Sequence, residues 1–269
     1  MHRDWNDAYA NMAHVPGSAE LPALWAARAA EYRAGPVRID TDIAYGTAPR
    51  ERLDLVWPEG TPRGLAVFIH GGYWIRMDKS LWTHLAEGAR QRGWAVALPQ
   101  YTLAPEARIA EITRQMGVAI ALAAERVAGP IRIAGHSAGG HLATRMVCAD
   151  NPLPAAVQAR VQHVLSISGL HDLRPLMWTD MNAEQRIDEA EALRESPALL
   201  RPAEGARVTA WVGGGERPDF IRQAQLLALI WGGLGAQITC EVDSTHNHFT
   251  VIEALCDPNS ALTLDFVGV

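Results

Sequence analysis

Gly135-His136-Ser137-Ala138-Gly139 sets a serine between glycines, after the apolar run Ile131–Ala134 and before a helical pattern over Ala138–Ala149. A serine on a strand-to-helix turn projects its hydroxyl from the carboxyl edge of a sheet, where it can attack an acyl carbon. The flanking glycines let the backbone turn sharply without a β-carbon clash. The helix N-terminus adds amides and partial positive charge for an anionic intermediate. G-x-S-x-G alone is common by chance; the strand–turn–helix frame gives it weight. A second motif, His70-Gly71-Gly72-Tyr73-Trp74, follows the run Leu65–Ile69. Acyl transfer requires preorganised donors for an oxyanion, and the amides of Gly72 and Tyr73 with that of Ala138 are the expected set.

A serine hydroxyl needs a base, and the base needs an orienting acid. Where a serine sits on such a turn, the acid and then the histidine follow it in the chain. Glu216 and Asp219 lie just beyond the seventh apolar run, and His246 and His248 beyond the eighth. His248 is the expected base, at a loop-to-helix junction, and His246 a residue shaping the mouth of the site. Glu216 is the expected acid, within ~2.6–3.2 Å of His248 Nδ1. Asp219, after Pro218, reads as a helix N-cap, and Asp172 is the fallback acid. His70, His136 and His141 read as hydrogen-bonding scaffold. Trp74 and Trp178 follow strand ends on the same edge and are candidates to touch substrate. The His246/His248 spacing lacks neighbouring acidic or cysteine ligands, so neither metal nor cofactor is expected.

The elements that must position these groups alternate. Strands are expected over 37–45, 52–58, 65–71, 94–101, 131–136, 161–169, 207–214 and 236–243. Helical patterns cover Lys79–Arg92, Ala107–Ala128, Ala138–Ala149, Asn182–Leu200, Asp219–Leu234 and Phe249–Cys256. The alternation predicts an α/β fold: an eight-stranded, mostly parallel sheet covered by helices on both faces. The first two strands have no helix between them, so an antiparallel hairpin is expected at one edge. One domain is expected over residues 1–269, with 1–36 a helical extension that packs on it.

Composition narrows the function classes. The 269 residues are 48% hydrophobic and 20% charged, ordinary for a globular protein with a sizeable core. A net charge of −6 argues against a phosphate-binding surface. Lys79 is the only lysine, which leaves Schiff-base chemistry a single candidate. Cys148, Cys240 and Cys256 are an odd number without metal-ligand spacing and read as reduced thiols. No signal-peptide pattern or ~20-residue apolar span is present, so a cytoplasmic setting is expected. The expected partner is a small-molecule substrate, not nucleic acid or a membrane. A homodimer is compatible with this reading.

From about Ile39 to Leu255 the chain resembles the serine-type kynurenine formamidases (arylformamidases) of the α/β-hydrolase superfamily. The resemblance is carried by HGGYW (70–74), GHSAGGHLA (135–143), SGLHDLRPL (168–176), ESPALL (195–200) and HNHF (246–249). It implies an α/β-hydrolase fold, with Ser137 on the family's nucleophile and His248 on its base. The family acid, usually Asp, falls on Glu216, a departure that the fold accepts. The implied reaction is hydrolysis of N-formyl-L-kynurenine to kynurenine and formate without a cofactor. Arg76 and Asp78 are candidates for the substrate's charged groups. A carboxylesterase with the same triad is the close alternative, and a non-catalytic binding module of the same fold is the distant one.

Overall fold

Eight short runs, apolar along the middle of the sheet, pair into one layer. They are β1 (Ile39–Ala44), β2 (Arg52–Val56), β3 (Leu65–Ile69), β4 (Ala95–Pro99), β5 (Ile131–His136), β6 (Val161–Ile167), β7 (Arg207–Gly213) and β8 (Gln237–Asp243). The computed structural model describes residues 3–268. Strand order is β1-β2-β4-β3-β5-β6-β7-β8. β2 runs antiparallel to both β1 and β4, and all remaining pairs are parallel. The fold is the one the alternation predicts, with the antiparallel hairpin at one edge.

Every residue of β3 and β4 is buried. Their side chains alternate between two cores, as a strand covered on both faces requires. Leu65, Val67 and Ile69 enter one core with the helices Ile109–Arg126, Ala138–Arg145 and Pro218–Gly233. Ala66 and Phe68 enter the other, with Trp25, Trp82, Leu85 and the C-terminal Leu262 and Phe266. Among the described residues, no helix is long and apolar enough to cross a membrane.

Three helical patterns break up, each for a local reason. Lys79–Arg92 becomes two 3-10 turns, Lys79–Leu81 and Thr83–Ala86, followed by the helix Glu87–Gln91. Buried Lys79 is drawn into ion pairs with Asp42 and Asp54, at 2.8 and 2.7 Å, which fixes the entry of this segment on the hairpin. Asn182–Leu200 splits at Arg186, in the left-handed region at φ 55°, and again before Pro197. Phe249–Cys256 winds only over Glu253–Cys256, because the Asn247 carboxamide takes the amides of Phe249 and Thr250 into a turn. The helix Ala261–Val267, started by Ser260 accepting from Thr263 N, lacks a long enough pattern to read from sequence.

The helix Ala138–Arg145 sits against β3 so closely that a β-carbon on Gly139 would lie 2.0 Å from the Ile69 carbonyl oxygen. That atom is central-sheet backbone and cannot step aside. Gly139→Ala is therefore expected to destabilise by about 1–3 kcal/mol or to prevent folding. Gly233, with nothing within 4 Å of its added β-carbon, is the control: Gly233→Ala should be neutral or stabilising by up to ~1 kcal/mol. Urea denaturation of the two variants checks this, and equal midpoints would contradict it.

Candidate active site

Ser137 occupies the junction between β5 and the helix Ala138–Arg145, with φ 56° and ψ −117°. A non-glycine residue there carries strain of about 1–3 kcal/mol, tolerated only where the surroundings dictate it. The surroundings do so: Ser137 N donates to Ile167 O on β6 at 2.8 Å, and Ser137 O accepts from His141 N at 3.1 Å. A β-carbon on Gly135 would meet Gly139 O at 2.0 Å, so both motif glycines are demanded by backbone contact.

The loop after β3 is also strained, with φ of 105° at Gly72, 53° at Tyr73, 60° at Trp74 and 73° at Met77. Gly72 O accepts from Ile75 N and Arg76 N, which closes the turn. Among the described residues, the amides of Gly72, Tyr73 and Ala138 donate to no other backbone group. Three unspent amides thus flank Ser137. His70 anchors the loop: its Nδ1 donates to Gly71 O at 2.7 Å, and its ring stacks on Tyr101 at 4.4 Å.

His248 lies in the turn after β8 and is buried. Its Nδ1 lies 2.6 Å from Glu216 Oε2. The other carboxylate oxygen, Oε1, accepts from Gly213 N at 2.7 Å and from the Ser168 hydroxyl at 2.5 Å. Ser168 has φ 53° at the end of β6, and sequence reading missed it; its only signal is a serine at the carboxyl end of a strand. His136 Nε2 donates to the His248 carbonyl at 2.8 Å and so holds the turn from below. The His248 ring packs on Phe220 at 4.5 Å. Nε2 has no partner among the described residues, and no hydrogen bond joins it to the Ser137 hydroxyl. Both residues line one cavity of about 370 Å3. Catalytic contacts are often loose before substrate arrives.

The N-terminal segment forms one wall of that cavity, through Tyr9, Ala10, Asn11, Met12 and Ala13. It is tied down by ion pairs of Arg3 with Asp219 and of Arg217 with Asp7. The Tyr73 hydroxyl donates to Tyr9 O at 2.7 Å, and Gln223 Nε2 donates to the Tyr9 hydroxyl at 3.0 Å.

Several sequence expectations fall away here. Trp74 has no exposed surface and packs edge-on against His141, because its left-handed backbone turns the indole into the core. Trp178 is 71% exposed and lines a separate depression with Arg3, Asp4, Trp5 and Asn6. His246 is not part of the cavity wall; its Nδ1 pairs with the Thr250 hydroxyl at 3.2 Å. Asp219 is not an N-cap. The N-cap is Arg217, and Asp219, 1% exposed, sits inside the first turn between Arg3 and Arg222. Asp172 pairs with Arg174 and does not reach His248, while Asp78, a candidate for the substrate's charged groups, accepts from Ser80 and is not among the residues lining the cavity. Arg76 does line the cavity.

A strained serine at the sheet edge, flanked by free amides and a carboxylate-bound histidine, is the hallmark arrangement of one class. The chain belongs to the α/β-hydrolase family: residues 66–219 match the family described as alpha/beta hydrolase fold. It is a hydrolase, and it is similar in sequence to kynurenine formamidases. The Danio rerio kynurenine formamidase is 29% identical over 231 residues, covering 82% of this chain and 78% of that one. That of Salmo salar is 27% identical over 232 residues, covering 82% and 79%. A solved Silicibacter sp. structure, provisionally described as a thioesterase, is 47% identical with a TM-score of 0.92, covering 98% of this chain and 99% of that one.

Burial holds several histidines of this region neutral. His70 is lowered to about 4 and His141 and His171 to about 3; His136 lies well below its usual value through burial and its neighbour His248. In the unfolded chain these groups take up protons near ~6.5. Between there and about 4 the unfolded state binds more protons than the folded one. Stability is therefore expected to be full above the unfolded value and to fall steadily as pH drops from 6.5 toward 4. Denaturation midpoints measured across that window check this; a flat profile would contradict it.

Proposed function

We propose that the protein is a serine hydrolase that cleaves N-formyl-L-kynurenine to kynurenine and formate. The observation that carries this reading is the Glu216–His248 pair at 2.6 Å beside Ser137 in one cavity. The formamidase resemblance across most of the chain supplies the substrate.

In this mechanism His248 Nε2 accepts the Ser137 proton as Oγ attacks the formyl carbon. Glu216, held by Ser168 and Gly213, fixes the tautomer with the proton on Nδ1 and stabilises the imidazolium. The amides of Gly72, Tyr73 and Ala138 bind the oxyanion, a contribution of about 3–4 kcal/mol per donor elsewhere. The C–N bond breaks as His248 returns the proton to the departing arylamine. Water, deprotonated by His248, then attacks the formyl-serine ester and releases formate. The site needs no metal in this scheme.

A second reading, hydrolysis of an ester or thioester by the same groups, is favoured by the 47% identical Silicibacter protein. Turnover of N-formyl-L-kynurenine, p-nitrophenyl acetate and an acyl thioester by the purified protein separates the readings. The expected result is the highest kcat/KM for the formamide, and preference for either ester overturns the substrate. Ser137→Ala should lower kcat by roughly 10³-fold or more, and Glu216→Gln by up to about 10⁴-fold. An active alanine variant, or one still labelled by a fluorophosphonate, would exclude Ser137 as nucleophile. Chelators should leave the rate unchanged.

A further inference from the structure

We propose that Asn11 and Arg76 form a subsite for a carboxylate of the substrate in an otherwise largely apolar cavity. This rests on the reading of the Ser137 cavity as the place where substrate is cleaved.

Asn11 is 5% exposed and belongs to the cavity wall, and its Nδ2 has no hydrogen-bond partner among the described residues. A buried amide without an acceptor is costly to the free protein. An occupant that brings an acceptor removes that cost, so the cavity selects for one. Arg76 enters from the strained loop beside Gly72. Its guanidinium has no carboxylate partner among the described residues; Asp78, the nearest acid in sequence, is engaged with Ser80.

Apart from Ser137, His248 and the free amides of Gly72 and Tyr73, which serve the reaction, two further polar groups of the wall are committed. The Tyr73 hydroxyl proton is spent on Tyr9 O, and His136 Nε2 on the His248 carbonyl. No acidic residue lines the cavity. The rest is largely apolar, with Met12, Met77, Met181 and Phe249 among its members, and with Trp25 and Trp82, whose buried indole Nε1 atoms also lack a partner among the described residues. A largely apolar cavity whose wall carries the unpaired, solvent-exposed Arg76 cation and the buried neutral donor of Asn11 matches a single negative charge. A carboxylate fits that count and the planar guanidinium fork, whereas a phosphate dianion would leave one charge uncompensated. The two residues come from the N-terminal segment and the oxyanion loop. The subsite therefore forms only when the N-terminal wall is in place.

Isothermal calorimetry with 4-phenylbutyrate and its neutral twin 4-phenylbutyramide reads the subsite without turnover. The wild-type protein is expected to bind the acid roughly tenfold more tightly than the amide, with the margin shrinking as salt rises. Arg76→Gln and Asn11→Leu should bring the ratio toward one, and Arg76→Lys should keep part of it. Asn11→Asp should weaken the acid more than the amide, because it replaces a donor by a like charge. Thermal melts of each variant separate lost contacts from lost folding. Equal binding of the two compounds by the wild type, binding of neither, or an unchanged ratio in both Arg76→Gln and Asn11→Leu overturns the proposal. Acid preference in a protein inactive on the formamide would sink the substrate reading and leave the subsite standing. Formamide turnover without acid preference would do the reverse.

Discussion

The contact on which the site depends is backbone against backbone. Gly139 packs on the Ile69 carbonyl of β3 and Gly135 on the Gly139 carbonyl, with no room for a β-carbon at either place. Because β3 and β5 are parallel neighbours, their carboxyl ends emerge side by side. The turn after β5 and the loop after β3 are thereby pressed together. A β-carbon on Gly71 would come within 3.1 Å of the Ser137 β-carbon, which shows how close the loop lies to the nucleophile turn. Strain at Ser137, Tyr73 and Trp74 follows from that compression. A hydroxyl and the amides that would receive an oxyanion are thus held in register by the sheet, with His70 anchoring the loop on Gly71 O.

The second constraint is electrostatic. Glu216 is buried, and a carboxylate out of water is stable only when its lone pairs are filled. Gly213 N, the Ser168 hydroxyl and His248 Nδ1 fill them. The last is also the contact that orients the imidazole, so satisfying the buried charge and positioning the base are one arrangement. A glutamate suits this place because the carboxylate must reach back to Gly213 N, three residues before it, as well as outward to His248. Asp219, three residues later in the first turn of the helix Pro218–Gly233, is consumed by Arg3 and Arg222 and anchors the N-terminal segment.

Local pattern made the frame of the site legible. Nearly continuous apolar runs marked β3 and β5 to β7, and the glycines around Ser137 marked a turn that only close packing requires. Rank in the chain then pointed to Glu216 and His248, which the structure brings within 2.6 Å of each other. What could not be read is set by long-range packing. Trp74 sits one position beyond the oxyanion loop, yet its positive φ turns it inward, and nothing in its neighbours' identities announces that. Ser168 meets Glu216 across 48 residues of chain, a pairing only the sheet order creates. The mixed 3-10 and α segment over Lys79–Gln91 has helical composition throughout. Its interruption is imposed by the Lys79 ammonium seeking Asp42 and Asp54 on another element.

The N-terminal wall carries the same lesson into function. Its inner surface is built of Tyr9, Ala10, Asn11, Met12 and Ala13, and its outer attachments are charged: Arg3 to Asp219 and Asp7 to Arg217. Partly exposed pairs of this kind are individually weak and screened by salt. The sheet edge beneath, by contrast, is fixed by backbone packing. The cavity therefore joins a rigid half that presents the reacting groups to a half held by adjustable polar contacts. That division places the walls that shape the cavity, residues 9–13 and the loop carrying Arg76, apart from the backbone packing that fixes Ser137 at the sheet edge.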